Sequence, residues 1–165
     1  MITFEIDEDV ELNSAASGVV NPLTVIGMVE TLRERKLNGL IHTAAASSLG
    51  RMLNKLCKKE GIPLLNIVRR EEQANVLKAE GAENVLITTG DWEPQFKEYT
   101  NKGFDCIFDA LGGGETTKVL LENMPLKSGI FLYGTLEGKP LIFDAVQKIQ
   151  MGLKIEGFIA GKWWE

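Results

Sequence analysis

The chain has a single histidine, His42, and two cysteines, Cys57 and Cys106, in 165 residues. One imidazole and two widely separated thiols give neither a metal-ligand spacing nor a disulfide framework. No Ser-His-Asp set and no pair of catalytic carboxylates can be assembled either, so no catalytic residue and no metal ligand is assigned. The cysteines fall inside element patterns, Cys57 in a helix and Cys106 in a strand. Both are expected as buried, reduced thiols, which fits the cytoplasm or a mitochondrial matrix. A surplus of positive charge is also missing. The chain carries 18 Lys and Arg against 23 Asp and Glu, a net charge of -5 and a sequence pI near 5.1. General attraction to nucleic acid or to an anionic membrane is therefore excluded. No apolar stretch approaches the roughly 20 residues needed to span a bilayer. The acidic start, residues 1–7, lacks the apolar core of a signal peptide, so a soluble protein is expected.

Hydrophobic side chains make up 44% of the sequence, enough for one domain with a sizeable core and too little chain for two. Residues 1–20 read as a lead-in, with a short alternating run Ile2-Phe4-Ile6, an acidic patch and small residues. Residues 21–165 read as the domain. Asn21-Pro22-Leu23-Thr24 opens a helix with Leu23, Ile26, Val29 and Leu32 at helical spacing, and its basic end suits the helix dipole. The apolar run 39–44 then breaks at Ala45-Ala46-Ser47-Ser48-Leu49-Gly50, and helical periodicity continues to Glu60. Gly61-Ile62-Pro63 stops that helix, and residues 64–68 form a second β-rich run ending on Arg69-Arg70. Strand, tight turn, helix and strand make a βαβ unit of the dinucleotide-binding kind.

Further helices are expected over 71–80, 92–102, 116–124 and 141–151, and strands over 84–87, 104–111, 129–133 and 153–160. Strands that are apolar on both faces and alternate with helices imply an α/β fold, a doubly wound parallel sheet covered on both sides. Six strands in the order 3-2-1-4-5-6, a Rossmann fold, is the expected topology. Ligands of such a sheet bind beyond the carboxyl ends of the strands, where the order reverses. The turn at 45–50 is made of small residues because a pyrophosphate must approach backbone N–H groups at a helix N-terminus. Where a G-x-G-x-x-G fingerprint has its glycines this chain has Ala45, Ser47 and Gly50, so only the third glycine survives. Ser47 and Ser48 also read as helix N-caps.

Seven segments in order resemble the cofactor domain of the medium-chain dehydrogenase/reductases, most of all the zinc-free quinone oxidoreductase and 2-enoyl thioester reductase branches. They are Asn21-Pro22-Leu23-Thr24, residues 44–50, Asn66-Ile67-Val68-Arg69, Leu77-Lys78-Ala79-Glu80-Gly81-Ala82, Phe108-Asp109-Ala110-Leu111-Gly112-Gly113, Tyr133-Gly134 and Glu156-Gly157-Phe158. The resemblance implies that Thr24 lies near the cofactor and that Ala46, Ser47, Ser48, Leu49 and Gly50 form the pyrophosphate turn. It further implies that Ala110, Leu111 and Gly112 border the nicotinamide ribose and ring, that Tyr133, Gly134 and Thr135 flank the ring, and that Phe158 sits near the cleft. Members of this family carry a GroES-like barrel that supplies catalytic groups, and no barrel sequence is present here. The resemblance also implies a homodimer joined through the last strand.

NAD-specific sites place Asp or Glu at the end of the second strand to bind the ribose 2′-OH; here Val68 holds that place and Arg69-Arg70 follow. Planar guanidinium donors match a 2′-phosphate, so NADPH is the expected cofactor. A structural alternative is a solvated basic pair facing Glu71 and Glu72. His42 reads as a packed strand residue, Asp109 as a structural residue beside the glycine turn, and Trp92 as a helix anchor. Trp163 and Trp164 form an apolar end that needs a packing partner. The expected function is NADPH binding in an oxidoreductase that passes hydride to a small-molecule acceptor, a quinone or an activated enoyl double bond. A non-catalytic dinucleotide-binding or sensing module is the second reading. A methyltransferase using S-adenosylmethionine is disfavoured by the sixth strand and by Arg69-Arg70.

Overall fold

The computed structural model describes residues 5–11, 15 and 18–163. Residues 5–11 of the lead-in are exposed, and Trp164 and the side chain of Trp163 lie outside the described residues. The elements run α1 Val20–Glu34, β1 Gly39–His42, α2 Ser48–Glu60, β2 Leu64–Val68, α3 Glu71–Ala79, β3 Asn84–Ile87 and α4 Glu93–Asn101. They continue with β4 Phe104–Asp109, α5 Gly114–Glu122, β5 Gly129–Leu132, α6 Ala145–Met151, β6 Lys154–Gly157 and α7 Ala160–Trp163. One six-stranded sheet has the order β3-β2-β1-β4-β5-β6 with every pairing parallel. That is the doubly wound topology expected from the alternation of elements.

The side-chain period of two divides the strands between two layers. Leu40, Phe108 and Phe131 point to the layer with α1 and α2, where they meet Val25, Met28, Leu32 and Leu53. Ile41, Ile107 and Ile130 point the other way, onto Phe96 of α4 and Leu120 and Leu121 of α5. Strands buried on both faces are mostly apolar, which is why they read as near-continuous runs, and the buried polar exceptions are His42, Asn66 and Asp109. Phe108 stacks on Phe131 with ring centroids 4.8 Å apart and meets Phe158 edge-on at 5.1 Å. Trp92 packs against the second cluster through an edge contact with Phe96, as an anchor should. Cys57 and Cys106 are buried free thiols.

Several expectations shift: the helix expected over 141–151 begins only at Ala145, the helix expected over 116–124 is Gly114–Glu122, and the strand expected over 104–111 ends at Asp109. The buried stripe of α1 is Val25, Met28, Val29 and Leu32, and Ile26 is 44% exposed. Steps of three and four keep a stripe on one face, whereas the repeated step of three through residues 23, 26, 29 and 32 drifts around the helix. The last strand ends at Gly157, short of the expected Ala160, because the chain turns into α7. Phe158 still donates its N–H to the Leu132 carbonyl at 2.8 Å, whereas Ile159 is 60% exposed. Among the described residues no helix is long and apolar enough to cross a membrane.

Candidate functional site

The carboxyl ends of β1, β2 and β4 converge on a cavity of about 360 Å3 at the point where the strand order reverses. Its lining includes Ala46 and Ser47 from the turn after β1, Arg69 after β2 and Leu111 after β4. Thr43, Ala44, Val68, Gln73, Thr88, Thr116, Leu136 and Glu137 also contribute. The turn is built from β1 upward. Ala44 adopts φ +53°, and Ser47 then caps α2 by accepting the Gly50 N–H on its hydroxyl oxygen at 3.1 Å. Ser48 and Leu49 are the first helical residues, where N–H groups have no intrahelical acceptor and the helix dipole is positive. The capping and anion-binding readings of the serines are therefore compatible: Ser47 both caps the helix and lines the cavity. Gly50 is indispensable for packing, since a Cβ there would lie 2.2 Å from the Ala45 carbonyl oxygen.

Beyond β2, no carboxylate lies among the lining residues at the strand end; Val68 is buried and Arg69 and Arg70 are exposed. Arg69 faces the cavity and Arg70 is not among its lining. Gln73 holds this turn, its amide oxygen accepting the Arg69 N–H at 3.1 Å and the Arg70 N–H at 3.2 Å. Glu71 and Glu72 follow in the first turn of α3, where their charge favours the helix dipole.

Asp109 organises the third segment. Its fully buried carboxylate accepts from the Thr43 hydroxyl at 2.7 Å, the Leu111 N–H at 3.1 Å, the Gly112 N–H at 2.9 Å and the Thr117 hydroxyl at 3.0 Å. Thr43 in turn accepts the Ala110 N–H at 2.8 Å. The acid thus fixes residues 110–112 in space, a positioning task that matches its structural reading. The turn after β5 presses on it. Gly112, at φ +72°, and Gly134 approach so closely that a Cβ on either would strike the other segment's carbonyl oxygen, at 2.4 and 2.7 Å.

His42 and Tyr133 sit beside this point, on the α1 side of the sheet. His42 is fully buried, and its Nε2 lies 2.7 Å from the Tyr133 hydroxyl. Burial pushes the imidazole down to about 3, so it is neutral, and pushes the phenol well above its ordinary value. Burial likewise raises the Cys57 thiol to about 12, which leaves it unreactive. The remaining expected residues lie apart from the cavity lining. The Thr24 hydroxyl donates to the Val20 carbonyl at 2.6 Å within α1, and Phe158 is packed in the core. Tyr133 and Thr135 stand on the neighbouring turn. Sequence reading missed Thr43, Gln73, Thr88, Thr116 and Glu137. Of these, Gln73 had a signal, a glutamine three residues into a helix whose first N–H groups need acceptors.

A parallel six-stranded sheet with a small-residue turn and a helix N-terminus at its switch point defines a Rossmann-type dinucleotide-binding domain. The sequence profile of the zinc-binding dehydrogenase family matches residues 48–165, and the chain belongs to that family. It corresponds to the dinucleotide-binding half of the medium-chain dehydrogenase/reductase fold. The chain is 25% identical over 169 residues to mitochondrial enoyl-[acyl-carrier-protein] reductase of Bos taurus, covering 96% of this chain and 44% of that protein. It is also 25% identical over 167 residues to NADPH quinone oxidoreductase of Kluyveromyces marxianus, covering 92% of this chain and 43% of that one. Among solved structures, a candidate NADPH:quinone reductase from Mesorhizobium loti superposes with a TM-score of 0.85 at 29% identity over 96% of this chain and 46% of its own. The chain therefore spans just under half the length of the relatives it matches. Despite the family's name, the described residues contain no group of three or more His, Cys, Asp or Glu able to hold a metal ion. The one imidazole is committed to Tyr133, so a zinc site does not fit these residues.

Proposed function

We propose that this chain binds NADPH in the cavity at the ends of β1, β2 and β4, as the cofactor half of an oxidoreductase that reduces a quinone or an activated enoyl double bond. One observation carries the reading: the capped small-residue turn of α2 and Arg69, with no carboxylate at the end of β2, line a single cavity. The pyrophosphate would rest on the turn at 46–50, where the unpaired N–H groups and dipole of α2 favour it. The 2′-phosphate would meet Arg69, with Arg70 beside it, since their guanidinium groups match phosphate geometry and nothing acidic at the strand end repels it. Residues 110–112 and 133–135 would border the nicotinamide end, with Thr24 and Phe158 nearby. Bound nicotinamide supplies the hydride, and the chain's own contribution is position and face.

Orientation of the acceptor would come from residues outside this chain, as the partial span of the relatives suggests. The mitochondrial names among them make a matrix location plausible beside a cytoplasmic one. The edge strand β6, with its N–H and C=O groups unpaired on one side, is the expected seam of a homodimer. Sedimentation equilibrium tests that seam, and a monomer at micromolar concentration removes it.

Fluorescence titration with NADPH and NADH tests the cofactor reading. The unmodified chain is expected to prefer NADPH, and Arg69→Ala combined with Arg70→Ala to lose about 1–3 kcal/mol of the preference. Equal affinities in the unmodified chain overturn it. The second reading, a non-catalytic dinucleotide-binding module, is favoured by Ala45 and Ser47 at the positions of two fingerprint glycines. Stopped-flow NADPH oxidation with quinone or enoyl thioester, on a protein that includes the remaining half of the fold, separates the two.

A further inference from the structure

We propose that Glu137 is the acceptor for the unphosphorylated ribose of the cofactor, its carboxylate taking the 2′- and 3′-hydroxyls on the nicotinamide side and so fixing which way round the dinucleotide lies. The assignment rests on the cofactor reading above. Among the described residues that line the cavity at the switch point there is one base, Arg69, and one acid, Glu137. They come from opposite ends. Arg69 follows β2, whereas Glu137 arrives from the turn after β5 and donates its N–H to the Leu111 carbonyl at 3.1 Å, just beyond β4. Adjacent strands lie about 4.8 Å apart, so β2 and β4 are separated by roughly 10 Å, with β1 and its turn between them.

Glu137 is held in that wall. Leu136, one residue before it, donates its N–H to the Ala110 carbonyl at 3.0 Å. The Glu137 stem packs over Gly114, where an added Cβ would lie 3.7 Å from both its Cβ and its Cγ. Its side chain is 26% exposed, whereas that of its ion partner Lys139, at 3.8 Å, is 63% exposed, a loose pair screened by water. A carboxylate in a wall that receives phosphates is unfavourable unless it accepts donors from the ligand.

NADPH has the matching asymmetry. One ribose carries the 2′-phosphate and calls for a cation; the other has two free hydroxyls, which are donors, and the pyrophosphate joins the two. A carboxylate with two oxygens accepts a vicinal diol, the chemistry by which an acid after the second strand binds the unphosphorylated adenosine ribose in NAD sites. Here an acid is absent from the lining at the end of β2 and present beside the end of β4. With the phosphorylated ribose on Arg69 and the pyrophosphate on the turn at 46–50, the diol is the donor group that falls on the Glu137 side. A reversed ligand would set its 2′-phosphate against Glu137 and its diol against Arg69, mismatched at both ends.

Isothermal titration calorimetry on the full chain tests the proposal with three probes. These are NADPH, its reduced 3-acetylpyridine analogue, which keeps the diol but lacks the amide NH2, and adenosine 2′,5′-bisphosphate, which lacks the nicotinamide nucleoside. Glu137→Gln is expected to weaken NADPH and the analogue about tenfold each, the scale of lost charge-assisted bonds, and to leave the bisphosphate unchanged. Arg69→Ala is expected to weaken all three, since each carries the 2′-phosphate. If the carboxylate serves only the N-terminus of α5, or merely repels phosphate, Glu137→Gln binds NADPH as tightly as the unmodified chain or more tightly, and the assignment is overturned. It is also overturned if the bisphosphate loses as much as NADPH, or if the analogue is unaffected, which would give the carboxylate to the amide. An unmodified chain that binds the bisphosphate keeps the cofactor reading whatever Glu137 does; one that binds none of the probes removes both.

Discussion

His42 and Tyr133, 91 positions apart in the chain, share a 2.7 Å hydrogen bond across the central strands, and their rings stack with centroids 5.7 Å apart. The other ring nitrogen, Nδ1, is buried without a partner. Protonating such a ring means burying a charge in an apolar layer.

Stability should accordingly fall with acid. The folded-state value of His42 is lowered to about 3 from 6.5, so between those limits the unfolded chain binds the extra proton. Its contribution is fully present above about pH 6.5 and is lost as pH falls toward 3, on the order of a few kcal/mol in all. Urea unfolding at several pH values checks this. His42→Gln should show a shallower decline between pH 7 and pH 4 than the unmodified chain, and parallel curves would refute the assignment.

Ala44 offers a stabilising change. Its φ of +53° is a conformation that costs an L-residue about 1–2 kcal/mol, and the side chain is only half-buried. Ala44→Gly removes the clash and adds unfolded-chain entropy, for a net gain of roughly 0.5–1 kcal/mol. Thermal and urea denaturation would detect it.

Gly50→Ala should have the opposite effect. The added methyl meets the Ala45 backbone at 2.2 Å, so α2 must move away from β1. A loss of about 2–4 kcal/mol in denaturant midpoints is expected, with weaker dinucleotide binding in whatever remains folded.

For Asp109→Asn the expected loss is also about 2–4 kcal/mol, because an amide NH2 would confront donors that the carboxylate now accepts. Hydrogen exchange should speed up first at Leu111 and Gly112. Asp109→Asn with unchanged exchange there would show that the turn holds itself.

Much of this architecture was legible because parallel strands buried on both faces are mainly apolar, as in 64–68 and 129–132, with polar residues such as Asn66 as exceptions. The turn at 45–50 was legible from its small residues and from Gly50, whose requirement is steric. Less readable was the division of labour inside the cavity. Arg69 and Arg70 look equivalent in sequence, and only Arg69 lines the cavity, since backbone bonds to Gln73 set the turn. Thr43 gave no signal because its partner, Asp109, lies 66 residues away. The stripe of α1 was misplaced by about one position, since a step of three alone does not specify which neighbour, one residue on, completes the face.

The strand order has a kinetic consequence. β1 pairs with β2 nearby in the chain and with β4 far along it, so the central strand of the sheet keeps an open edge until the second half of the chain arrives. Long closures of this kind slow folding more than they weaken the folded state. During synthesis, β1 to β3 can assemble as an incomplete sheet whose inner edge displays Leu40 and Ile41 to any passing strand. Closure comes only when Phe104–Asp109 docks on that edge and Asp109 captures Thr43, and until then this is the interval in which the nascent protein is most open to misassembly.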